Sequence, residues 1–517
     1  MRSKIKLLPI LLTIVFFFAS CGGGDDISKS GKSSTTTGWE YNEPDWGGFE
    51  VVPDYEQETG PGLVFIQGGT FTMGRVEQDV MYDWNNVPRK VTLTSFYMDE
   101  TEVRNVDYRE YLYWTQRVFI SMRDVYLNAL PDTLVWLDPL AYNDPYVEYY
   151  FRHPAYNEYP VVGISWRQAS DYALWRTDRV NEKILIDENI LLQDPAGQQG
   201  KENFNTEAYL AGQYIGLVGE NLPSMRPTNA ASGGGDAASD PSGQGRHVMM
   251  EDGMVLPRYR LPTEAEWEFA ALGLIGETYD ERLWERRIYP WTGASLRNDN
   301  PRYLGQFRAN FVRGSGDYMG MAGNLNDEAA ITAPVFSFWP NDYGLYCMAG
   351  NVNEWVGDIY RPLSFEDVSG FRPFRGNVFQ TLERDPNTGE IVEKDEMGRL
   401  IKRDLNAGDV REYTQNYRKA DYQDHLDGDY YSNLYSSQES IADTFTTRTQ
   451  QMYSQENEDV TSLINNRARV YKGGSWKDRA YWMSPGGRRF LDEEAARDDL
   501  GFRCAMTKVG SQSGGGM

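Results

Sequence analysis

The sequence predicts one large domain that mixes α and β elements, interrupted by two large insertions. Three observations predict it: short apolar strand-like runs turning at glycines, two helix starts that carry the same capping pattern, and long polar stretches between the motifs. At 517 residues the length alone would allow about three domains at ~150 residues each. The motifs below argue for one.

The chain opens with Arg2, Lys4 and Lys6, an apolar run from Leu7 to Phe18, then Ala19, Ser20 and Cys21. A basic start, a short apolar stretch and small residues before a cysteine make 1–20 a lipoprotein signal peptide, with Cys21 the acylated first residue of the mature chain. The apolar run is too short to cross ~30 Å of hydrocarbon as a helix. Residues 21–61 then read as the lipidated cysteine and a flexible tether, because GGGDDISKSGKSSTTTGWEYNEPDWGG is too poor in aliphatics to bury itself. Acyl chains on Cys21 would anchor the body to a membrane without spanning it.

The body runs over 62–507. GLVFIQGGTFTMGR (62–75) reads as two short strands turning through Gly68 and Gly69. Alternation at Val91, Leu93 and Ser95 predicts a strand that runs into a helix from about Asn105. YPVVGISWRQASDYALWR (159–176) joins an apolar strand to a helix whose Ser165 and Gln168 fit a capping box, with Ala169, Tyr172 and Ala173 on one face. RLPTEAEWEFAALG (260–273) opens a second such helix, where Thr263 and Glu266 make the same box and Glu266 reads as a cap.

The insertions fall at about 177–255 and 363–466. The first contains PTNAASGGGDAASDPSGQGR, a loop by composition. The second places the turn signals PNTG and EMG around short alternating strands, and its tyrosines (Tyr413, Tyr417, Tyr422, Tyr430, Tyr431, Tyr435) can pack on the body or meet a partner. DHLDGD (424–429) lacks the EF-hand pattern and reads as a solvated turn. Residues 508–517 form a loose tail.

Charge and chemistry exclude several classes. With 51 Lys+Arg against 76 Asp+Glu and a net charge of −25, the surface repels phosphate backbones, which argues against nucleic acid. Two cysteines after Cys21, Cys347 and Cys504, make no disulfide framework. His153, His247 and His425 have no ligand spacing, which argues against a histidine zinc or iron site. Aromatics reach 14%, and Trp166, Trp267, Trp291, Trp355 and Trp476 read as core.

GGTFTMG, MDETEV, PVVGISW, RLPTEAEWEFAA, YPWTG, NDYGLYCMAGNVNEWV, RVYKGGSW and LGFRCAM, in that order over about 62–507, together resemble the formylglycine-generating enzyme, or sulfatase-modifying factor, domain. The resemblance implies a C-type-lectin-related α+β fold. Within the family, the lipoprotein signal, ALPDTLVW, RTDRVNE and YKGGSWKDRAYW look most like gliding-motility lipoproteins of bacteria with a type IX secretion system.

Catalytic family members oxidise a substrate cysteine with copper held by two cysteines shortly after the GGSW-like turn. Those positions fall here at Asp478 and Met483. A carboxylate and a thioether do not replace two thiolates, since copper(I) selects soft sulfur, so no copper and no catalytic residues are expected. The cysteine that catalytic members can bridge to Cys504 is Ala173 here. The resemblance also implies two calcium sites. The first takes Asn310 and Asp327 with the carbonyls of Phe311 and Ala329. The second takes Glu354 with the carbonyls of Gly350 and Val352, but Cys347 replaces an oxygen-bearing Asn and a thiol is a poor calcium ligand.

The expected function is therefore a non-catalytic structural lipoprotein of the gliding and type IX secretion machinery, with GldK-like and GldN-like partners implied by the resemblance. Gly22 after the lipidated cysteine resembles outer-membrane lipoproteins, and the periplasmic face is the expected location. Two alternatives stand: a formylglycine-forming oxidase or other enzyme of the family, and a surface glycan-binding lipoprotein.

Overall fold

The computed structural model describes residues 33–510, except 44, 46–47, 53–54, 76–84, 141, 215, 218, 220–221, 223–245, 276–277, 279–286, 314–328, 361–372, 377, 405–433, 442–443 and 452–466. Cys21, Asp327, the DHLDGD turn and most of the insertion tyrosines lie outside the described residues. The chain forms two units, a small one within 1–56 and 220–254 and a large one of 57–219 and 255–517.

In the small unit the Asn42 side chain bonds both the N–H (2.8 Å) and the carbonyl (2.9 Å) of Val51. Arg246 donates to Glu50 at 2.6 Å and grips Asp252 through both Nη atoms at 2.6 and 2.7 Å. Glu50 and Val51, read from sequence as tether, are thus tied down by a buried guanidinium and by the Asn42 amide, which composition alone does not reveal.

In the large unit the chain runs β1 (Leu63–Ile66), β2 (Gly69–Met73), β3 (Arg89–Leu93), β4 (Phe96–Asp99), α1 (Asn105–Val118), α2 (Arg123–Ala129), α3 (Asp144–Tyr149), α4 (Trp166–Asp187) and α5 (Thr206–Leu210). It continues with β5 (Tyr259–Arg260), α6 (Glu264–Leu272), β6 (Asn353–Ile359), β7 (Gln380–Leu382), β8 (Lys402–Asp404), β9 (Leu434–Ile441), β10 (Thr444–Gln451), β11 (Ala468–Lys472), β12 (Arg489–Asp492), β13 (Leu500–Phe502) and β14 (Ala505–Thr507). One sheet has the order β1-β4-β14-β5 and is antiparallel; the other has the order β12-β11-β6-β13, with β13 parallel to β6. Three hairpins, β2–β3, β7–β8 and β9–β10, stand apart from these sheets.

Both expected helix starts form as read. Thr263 and Glu266 exchange bonds at the start of α6, and Ser165 and Gln168 do so at α4, with Ala169, Tyr172 and Ala173 buried. The two strands read in 62–75 form as β1 and β2; β1 pairs with β4 and β2 with β3, so the turn at Gly68 joins strands of different sheets. A Cβ on Gly68 would come within 2.4 Å of the Leu93 carbonyl, a close approach that only glycine permits. One strand reading changes. The apolar run before α4 forms no strand: Arg104 and Pro160 make an isolated bridge, and Val161 N–H donates to Val103.

The core is aromatic. Tyr108, Tyr172 and Phe502 meet ring to ring between α1, α4 and β13, and Phe71, Phe96 and Phe269 do so between the β2–β3 hairpin, β4 and α6. Trp267 and Trp355 are fully buried, whereas Trp166, Trp291 and Trp476 are half-buried. Cys347 and Cys504 are separate buried thiols, and Cys504 sits in the same cluster as Ala173.

Candidate functional site

The GGSW turn begins where β11 ends. Gly473 and Gly474 have φ of 104° and 73°, and a Cβ on Gly473 would crowd the Trp267 ring at 3.1 Å. The turn is tied to the chain before β6: Gly350 N–H donates to the Gly473 carbonyl at 3.0 Å and Trp476 N–H to the Asn351 carbonyl at 2.9 Å. Alternation along β6 then sends Asn353 to one face and Glu354 to the other, so the strand serves two polar centres.

The first centre surrounds Asp478. Its two oxygens accept from Arg489 Nη1 and Nη2 at 2.8 and 2.7 Å. Oδ2 also lies 2.8 Å from Ser475 Oγ and 3.1 Å from Asn353 Nδ2. The same two groups reach Asp499 Oδ2 at 2.8 and 3.1 Å, and Arg497 bonds that carboxylate at 2.8 and 3.0 Å. Two carboxylates and two guanidiniums balance. Burial pushes the Asp478 carboxyl up, but its bonds and attraction to Arg489 win and hold it below the usual range. Asp478 therefore stays ionised and bound.

Met483 lies five residues on, across a short 3-10 turn (Ala480–Met483), in different surroundings. It is fully buried against Phe307, Ala309, Phe311 and Ala349. Of the two positions that the family resemblance assigns to copper, one is locked in an ion pair and the other packs as core. The residues do not fit a copper(I) thiolate pair, because neither side chain offers an anionic sulfur.

The second centre surrounds Glu354. Arg503 donates to both of its oxygens at 2.6 Å and Trp267 Nε1 to one at 2.8 Å, with both charged side chains almost fully buried. Glu102 lies alongside, bonded by Asn351 Nδ2 at 2.9 Å, and its carboxyl is pushed well up by burial and then by the charge of Glu354. Cys347 donates weakly to the Val335 carbonyl, and burial raises its thiol too.

Of the residues implied for calcium, Gly350, Val352 and Glu354 are brought together here, but Arg503 already neutralises the carboxylate. Asn310 is buried, with its carbonyl accepting from Asn351 and its Nδ2 donating to the Ile331 carbonyl at 2.8 Å. The Phe311 side chain joins the Met483 cluster, and Ala329 is buried beside Cys347. Among the described residues no group of three or more His, Cys, Asp or Glu is arranged to hold a metal.

Sequence reasoning missed Asn353, Ser475, Arg489, Arg497 and Asp499, and missed Arg503 and Glu102. It also missed a third polar centre: Lys472, with no exposed side-chain surface, lies 3.3 Å from Glu264 and 3.0 Å from Glu268, and Arg488 lies 3.0 Å from Glu264. Charged residues inside apolar motifs were the available signal.

Comparison with known proteins follows this geometry. Residues 48–398 match a family described as the sulfatase-modifying factor enzyme 1-like domain. The formylglycine-generating enzyme of Mus musculus is 23% identical over 57% of this chain and 58% of its own length. That of Streptomyces coelicolor is 34% identical over 28% of this chain and 40% of its own. A mouse protein named inactive C-alpha-formylglycine-generating enzyme 2 is 24% identical over 58% and 70%. The chain thus spans about half the length of the first two curated relatives.

Proposed function

This chain belongs to the sulfatase-modifying factor enzyme 1-like family, and from that membership we propose that it binds where catalytic relatives oxidise. The observation that carries the reading is the bidentate Asp478–Arg489 pair at 2.7 and 2.8 Å beside a fully buried Met483. A carboxylate held between guanidinium, hydroxyl and amide is a rigid structural unit, and it offers no thiolate to a copper ion. A relative whose name marks it as inactive shows that the name of this family covers more than active oxidases.

The finer reading rests on sequence resemblance alone. The signal ending at Cys21 and the phrases shared with gliding-motility lipoproteins, GldJ first and GldK second, support a lipid-anchored outer-membrane component of the gliding and type IX secretion apparatus on the periplasmic side. Partners would be GldK-like and GldN-like proteins.

An enzymatic role is the second reading, and the comparisons favour it more directly than a gliding role, because the first relatives are named as formylglycine-generating enzymes. In-cell crosslinking, purification through a C-terminal tag and mass spectrometry separate the two. Near-stoichiometric recovery of secretion-ring lipoproteins is the expected result; recovery of sulfatases instead would move the assignment to the enzyme.

A further inference from the structure

A cleft of about 700 Å³ opens on the large unit at the start of α4, along β5 and beside Gly357 of β6. None of its lining residues belongs to the Asp478, Glu354 or Lys472 centres, so neither reading of function accounts for it. Its volume lies within the ~300–1,000 Å³ of small-ligand sites.

The apolar lining is Trp166, Leu174, Leu261, Phe374 and Val378. The Trp166 indole is held in place from both sides: its Nε1 donates to the Val356 carbonyl at 2.8 Å, and Arg469 stacks on the ring at 3.8 Å. This wall is built before any ligand arrives.

Among the described residues the charged lining is paired, most loosely at one place. Arg469 and Arg167 hold Glu493 at 2.8 and 2.6 Å, and Arg167 also reaches Glu494 at 2.6 Å. Arg260 grips Glu266 through both nitrogens at 2.7 Å. Asp171 lies 3.4 Å from Arg399. Arg258 differs. Its side chain is 63% exposed and stands 3.8 Å from Glu207, a carboxylate that Lys402 holds at 2.6 Å. Of these cations Arg258 is the most exposed and stands furthest from its carboxylate partner.

We propose that this cleft binds an apolar carboxylate, with an aryl or branched alkyl group on the Trp166–Leu174–Phe374 wall and the carboxylate on Arg258. An exposed guanidinium held only loosely by Glu207 is open to a second carboxylate, whose plane matches its two parallel donors. A phosphate dianion would call for more than one cation. The ligand is either a free small acid or the C-terminal residue of a peptide.

Calorimetry on the mature full-length chain tests this with four probes: 4-phenylbutyrate, its amide, a four-residue peptide ending in phenylalanine with a free carboxylate, and the same peptide amidated. At least one carboxylate is expected to bind, its amide about ten-fold more weakly or worse, because a charge-assisted bond is lost. Arg258→Ala should weaken the carboxylate by the same factor with an unchanged melting curve, since the side chain is exposed, and Leu174→Glu should abolish binding. Equal binding of the two acids identifies a free acid as sufficient; binding of the peptide alone identifies a chain terminus. Failure of both carboxylates, equal binding of acid and amide, or unchanged binding by Arg258→Ala overturns the proposal.

Discussion

Asp478 shows how one residue can tie a turn into a charged network. It sits in a network with Arg489, Ser475, Asn353 and Asp499, and both partners of its ion pair are mostly buried. Asp478→Asn would leave Arg489 without its counter-charge. Breaking a buried pair from one side costs about 3 kcal/mol or more, so denaturant melts should show a clear loss of stability at pH 7. The sign at low pH follows from the depressed carboxyl: the wild-type advantage is present above the usual carboxylate range and disappears as pH falls through the folded-state value. Asp358 behaves oppositely. Burial, and then the charge of Glu264, push it from 3.8 to about 7, against bonds from the Glu264 and Arg375 N–H groups. Between those values the folded chain holds a proton that the unfolded chain has released, so this group makes stability fall as pH rises. Asp358→Asn should flatten that slope in melts taken from pH 4 to 7, and an unchanged slope would remove Asp358 as its source. At this scale the sequence exposed the replaced positions, because they are counted from the GGSW turn. It hid their partners, because Arg489 opens β12 and Asp499 immediately precedes β13, 11 and 21 residues further along the chain.

The helices were the most legible elements. Ser165 with Gln168 and Thr263 with Glu266 each lie three residues apart, and that local spacing is what a capping box needs. Thr263 accepts from Glu266 N–H at 3.2 Å, and Thr263 N–H donates to Glu266 at 2.9 Å. Helix α6 is buried along its whole length and carries Glu264, Glu268 and Trp267 into two of the polar centres. Thr263→Ala should therefore lower stability by about 1 kcal/mol, seen as a lower melting midpoint, and should leave the fold intact. Strand pairing was less legible. β1 and β2 are adjacent in sequence, yet they enter different sheets, and only contacts with β4 and β3 settle this. β13 and β14 close the two sheets from the far end of the chain, a pairing that no local pattern encodes.

On the scale of the whole molecule, the ordered motifs were readable because each is a short contiguous run that forms a local strand, turn or helix start. The division into two units was not readable, because it depends on contacts such as Glu50 with Arg246, 196 residues apart. The chain carries the family domain, and the positions that the resemblance assigns to copper hold an ion-paired Asp478 and a buried Met483. The most direct measurement is aldehyde formation on a cysteine-containing peptide by the purified chain loaded with copper(I), beside an Asp478→Cys, Met483→Cys double variant as a control for metal capture. The account predicts no aldehyde and no tight copper binding by the wild-type chain, with copper captured by the double variant. Copper-dependent aldehyde formation by the wild type that is lost in Asp478→Ala would contradict it.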